Sequence, residues 1–136
     1  MRVKACRVNG ERADFADYVR RMGLEDGRRP LVGDFAGAAI NASIQKVNDD
    51  AVELYAPVFP KVEYRFSKPV QGHAAALREK IAAAPGEGQV LSCNCILNYV
   101  HGELEGHAIA GIAGPMTFGE IAYQLLNQTF VILRVL

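Results

Sequence analysis

From Leu31 to Val70, apolar and polar positions alternate with a period of two. Ile40, Ala42 and Ile44 alternate with Asn41, Ser43 and Gln45, and Val52, Leu54 and Ala56 with Glu53 and Tyr55. Val62, Tyr64 and Phe66 then alternate with Glu63 and Arg65. Successive side chains of a strand point to opposite faces, so this pattern predicts strands with one wet face. It places Val62, Tyr64 and Phe66 on one face, with Glu63 and Arg65 toward water or a partner. Asn48-Asp49-Asp50, Pro57 and Pro60 supply the breaks of an antiparallel meander.

The flanking segments carry other periods. Met1 to Val8 reads as a strand that Asn9-Gly10 interrupts. Phe15, Tyr18, Val19 and Met22 follow at i, i+3, i+4 and i+7, one face of a helix that Gly23 and Gly27 end. Gln71 to Ala84 reads as an alanine-rich helix anchored by Leu77 and Ile81, stopped by a short linker, Pro85-Gly86-Glu87-Gly88. Gln89 to Leu97 predicts a largely buried strand. His101 to Gly114 is glycine-rich and ambiguous. Thr117 opens a third helix running to about Asn127. The apolar run Thr129 to Leu136 predicts a central strand. The expected fold class is α+β: a single compact domain with a mostly antiparallel sheet, about three helices and the last strand in the middle.

Composition narrows the function. The chain has 136 residues, enough to bury a core without metals or disulfides. Fifteen Lys/Arg balance fifteen Asp/Glu, so the chain lacks the charge footprint of a dedicated nucleic-acid binder. Eight basic residues lie in Met1–Gly33, whereas Arg134 is the lone basic residue from Cys93 onward. That apolar C-terminal segment predicts a buried strand, a homodimer face, or both. No stretch reaches the roughly 20 apolar residues of a membrane span. With no signal-like N-terminus and an odd cysteine count, the expected location is the cytoplasm.

Two segments carry candidate chemistry. Cys93 and Cys95, two apart in a strand, share one surface, and His101 or His107 lies nearby in sequence. This admits a covalent or redox thiol, but zinc sites use wider cysteine spacings and a second ligand pair. Buried, reduced, metal-free cysteines are the expectation. The second segment is Gly114-Pro115-Met116-Thr117-Phe118-Gly119-Glu120-Ile121. Thr117 and Glu120 have the spacing of a capping box, with Met116 and Ile121 as its hydrophobic staple. The same helix start, with little bulk at Gly119, offers a seat for a carboxylate or phosphate.

These elements together resemble the C-terminal region of FIST sensory domains: Leu91-Ser92-Cys93, the turn Gly114 to Ile121, and Asn127-Gln128-Thr129 before an apolar strand. Leu31 to Gly37 resembles a glycine-rich part of that family's N-terminal region. The resemblance implies a shortened, free-standing relative that binds a small molecule, with amino acids as a ligand class, in intracellular signalling. The expected site is Cys93, Thr117, Gly119, Glu120 and Asn127, with no catalytic residue, cofactor or metal. Two rivals stay open: a small cysteine/histidine enzyme, and a homodimeric interaction module without ligand.

Overall fold

The computed structural model describes residues 1–83, 89–106, 114–121 and 123–135, without the side chains of Ile81, Gln89, Val90 and Val135. The linker read at 85–88, the C-terminal residue of the second predicted helix and His107 lie outside the described residues. The chain divides into two compact units, Met1–Lys68 and Pro69–Leu136.

The first unit follows the period-two pattern. Strands β1 (Arg2–Val3) and β2 (Ala5–Val8) lead into β3 (Glu11–Asp14) and helix α1 (Phe15–Arg21). Four further strands occupy the alternating stretch: β4 (Leu31–Phe35), β5 (Ala38–Ala42), β6 (Ile44–Val47) and β7 (Val52–Leu54). A fifth, β8 (Tyr64–Phe66), ends it. They form two three-stranded sheets, ordered β1-β7-β6 and β5-β4-β8, and the hairpin β2-β3, all antiparallel. Asn9 and Gly10 both have positive φ, so the dipeptide that interrupts the first strand is a two-residue hairpin turn. Asp14 caps α1, its carboxylate accepting from the Asp17 N–H at 3.0 Å.

Alternation is borne out in β8. Tyr64 and Phe66 pack on the core while Arg65 and Glu63 are exposed and paired with each other at 2.9 Å. Val62 lies in the turn before that strand. The core gathers Phe15, Ala16 and Val19 of α1 against Leu31, Ile44, Val52 and Leu54 of the sheets. Truncating Phe15, Leu31, Ile44 or Leu54 to alanine costs about 2–5 kcal/mol by the usual cavity and transfer terms.

The second unit departs further from the sequence reading. Helix α2 (His73–Ala82) stands where a helix was expected, and β9 (Gln89–Cys95) is the expected strand. That strand stops at Cys95, and α3 (Ile96–His101) takes over. The helix expected from Thr117 is absent among the described residues. In its place come β10 (Met116–Thr117), β11 (Glu120–Ile121) and β12 (Gln124–Leu125). Gly119 at φ +116° and Tyr123 at φ +64° are incompatible with a continuous right-handed helix, which explains the correction. The last strand, β13 (Phe130–Val135), is an edge: the order is β10-β9-β13, with β9 central, parallel to β10 and antiparallel to β13. Three helices among the described residues and mainly antiparallel pairing make the chain α+β, strand-rich, with its sheets in fragments.

Candidate functional site

The two units bury different chemistry. Among the described residues, the buried set of Met1–Lys68 is apolar apart from one polar side chain, Ser43. In Pro69–Leu136 it holds Cys95, Leu104 and Ile121 alongside Ser92, Asn98 and Asn127. Half of that interior is polar, and buried polar groups cost free energy unless they are satisfied. The arrangement of these groups is the candidate site.

Its longest feature is a side-chain chain. Asn98, buried on α3, donates from Nδ2 to Asn94 Oδ1 at 2.8 Å and faces His73 Nε2 through Oδ1 at 3.0 Å. An amide oxygen only accepts, so His73 Nε2 is the donor and Nδ1 of the neutral ring is left an acceptor. His73 Nδ1 and Asn94 Nδ2 have no hydrogen-bond partner among the described residues. The chain thus ends in one acceptor and one donor, both on half-buried side chains. Gly102 backs directly onto the His73 ring, where any Cβ would collide with it and with the Asn98 carbonyl.

A second cluster joins β9 to the β10–β12 segment. Thr117 pairs with Cys95 in the parallel register of β10 and β9. Its Oγ1 accepts from the Gly119 N–H at 3.2 Å, a local turn rather than a helix cap. A Cβ on Gly119 would lie 3.0 Å from Asn127 Nδ2 and 3.9 Å from Cys95 Sγ. Asn127 is only 1% exposed. The Gly119 carbonyl accepts from Leu126 N–H at 2.7 Å, and Thr129 Oγ1 donates to the Asn127 carbonyl at 2.9 Å.

The structure therefore brings together Thr117, Gly119 and Asn127 of the expected site, with Cys95 as the adjoining thiol. Cys93 lies two residues back on β9, half-buried opposite Val131. Glu120 is exposed on β11, opposite Leu125. The capping-box role of Thr117 and Glu120 falls with the helix it was to cap. Cys93 and Cys95 are both free thiols. His101 stands at the far end of α3, its Nδ1 3.5 Å from Gln128 Nε2.

Three residues of the site, His73, Asn94 and Asn98, are not among those the sequence pattern singles out. Asn94 lies in strand β9 and Asn98 sits in α3, so neither period marks the pair in the sequence. A family model described as a family of unknown function, DUF6976, matches residues 1–136. No curated protein and no solved structure matches the chain.

Proposed function

The chain belongs to the DUF6976 family, and we propose that it is a FIST-like module whose second unit binds a small polar molecule, with amino acids as the first class to try. The observation that carries this reading is the chain His73–Asn98–Asn94. It uses a buried amide to hold an open acceptor at one end and an open donor at the other. An amino acid presents the complement, an ammonium that donates and a carboxylate that accepts. Glu120, exposed on β11, is the negative charge proposed for the ammonium, and Thr117, on β10 opposite Cys95, is the nearby polar side chain of the expected site. Binding without turnover, feeding an intracellular signal, follows from the resemblance to FIST domains.

The test is thermal unfolding of the wild type, Asn94→Ala and Glu120→Gln against amino acids and related metabolites. A true ligand raises the wild-type midpoint by mass action and fails to raise that of Asn94→Ala. If no compound shifts the wild type, or Asn94→Ala responds equally, the reading is wrong.

A second reading has its own observation. Leu91 and Leu133 are cross-strand partners on β9 and β13 and remain 51% and 59% exposed. An apolar pair on an open sheet face suits a homodimer contact. Light scattering of the wild type and Leu133→Lys distinguishes it: a dimer that the substitution dissociates supports this reading, and a monomer throughout removes it.

A further inference from the structure

The first unit contains an open groove of about 1210 Å³, larger than the usual range for small-ligand sites. Its floor reaches the hydrophobic core through Phe15, Leu31 and Leu54, all buried. Aromatic carbon from Tyr18, Phe59, Tyr64 and Phe66 extends the apolar walls. The rim is cationic. Arg2, Lys4, Arg7, Lys61 and Arg65 line it, and Glu63 is the acidic residue of the lining. Asp50, outside the lining, pairs with Arg2 at 2.6 Å and Lys4 at 2.7 Å. Setting Glu63 and Asp50 against these five cations leaves an excess of three positive charges, in a chain whose formal net charge is zero.

Lys61 stands apart from the other four. Arg2 and Lys4 share Asp50, Arg65 takes Glu63, and Arg7 donates to the Gly10 carbonyl at 3.0 Å. Lys61 has no hydrogen bond or ion pair among the described residues. It also sits at φ +68° in the turn closed by the Val62 N–H on the Phe59 carbonyl at 3.4 Å. With Pro60 before it, Lys61 occupies the turn position that favours glycine or asparagine. A long side chain there carries backbone strain. An unpaired cation is thus held in a disfavoured conformation at the mouth of an apolar groove.

We propose that this groove binds a free organic acid with a hydrocarbon body, its carboxylate on Lys61 and its apolar chain on the core-lined floor. A hydrocarbon chain needs no hydrogen-bond partners at that depth. A peptide backbone laid there would bring amides that the apolar floor leaves unsatisfied. The site lies within Met1–Lys68 and does not depend on the reading given for the second unit.

The test is calorimetric titration of the full chain with decanoate and with 1-decanol, for wild type, Lys61→Arg and Lys61→Gly. Decanoate should saturate at one per chain, and decanol should bind at least about tenfold more weakly, as loss of a charge-assisted contact implies. Lys61→Arg should retain decanoate. Lys61→Gly should lose about tenfold in affinity by the same loss while its thermal midpoint without ligand rises, because glycine relieves the positive φ. That opposition of signs is what a purely structural lysine would not give. The proposal is overturned by no saturable decanoate binding, by equal affinity for acid and alcohol, or by full affinity in Lys61→Gly. Co-sedimentation with phosphatidylglycerol vesicles in the absence of decanoate binding overturns it equally, since the cationic rim would then serve a membrane surface.

Discussion

His73 on α2 and Asn98 on α3 meet at 3.0 Å through Nε2 and Oδ1, so one hydrogen bond between side chains couples two helices of the second unit. Asn98 extends the coupling into β9 through Asn94. Asn98→Ala removes both contacts and leaves two half-buried polar groups without their partner. The expected cost is about 1–3 kcal/mol, read by urea unfolding. Unchanged stability would show that the chain contributes nothing to the fold.

Gly114 bears on the backbone of Ser92. A Cβ at this position would overlap the Ser92 carbonyl, an atom fixed in β9 that cannot swing aside as a side-chain tip can. Gly114→Ala is expected to destabilise by about 1–3 kcal/mol or more, the range for overpacking. A circular dichroism melt that superimposes on the wild type would contradict this contact.

Arg20 ties α1 to the turn between β6 and β7. Its guanidinium donates to the Asn48 carbonyl at 2.5 Å and lies 3.4 Å from the Asp17 carboxylate. A planar fork serves both directions and a lysine ammonium does not. Arg20→Lys should therefore lose about 1 kcal/mol, nearly as much as Arg20→Ala. Full recovery by lysine in a denaturant titration would reduce the contact to charge alone.

Burial pushes the Cys6 thiol above its ordinary pKa, and the charge of Asp14 adds to the shift. The thiolate is the reactive form, so alkylation of Cys6 near neutral pH should be slower than that of a free cysteine. The stability sign follows from the same shift. A raised folded pKa gives a contribution that is complete below the unfolded value of about 8.5 and is lost as pH rises through the folded one. The stability of wild type relative to Cys6→Ala should fall with rising pH across that window. A constant difference would remove the shift.

Periodicity made the first unit legible because its strands each have a wet face and a core face: the alternation around Tyr64 and Phe66 is what the fold uses. The second unit obeys no single period. Thr117 and Glu120 fit a capping box by spacing, yet a box needs helical backbone after it, and Gly119 adopts a φ open almost solely to glycine. Gly119 thus marks a turn rather than a mere absence of bulk. The polar chain stayed hidden because His73 and Asn98 are 25 residues apart and meet only through tertiary packing. The candidate site was legible in part, through Thr117, Gly119 and Asn127. For β13, Arg134 was the overlooked clue in an otherwise apolar run.

That arginine belongs to a wider distribution. Among the described residues, the interior strands β4, β7 and β9 contain no lysine or arginine; of the edge strands, β1, β2, β3, β6, β8 and β13 contain one apiece, and β5, β10, β11 and β12 contain none. An unpaired strand edge is a template for another chain, and a single cation is enough to discourage flat stacking. With the formal net charge at zero, overall repulsion cannot do that work. On the six edge strands that carry one, a local cation takes the place of a global charge. Neutralising one, such as Arg134 beside Val131-Ile132-Leu133, should turn its strand into a seed for amyloid-like growth even while the domain stays folded.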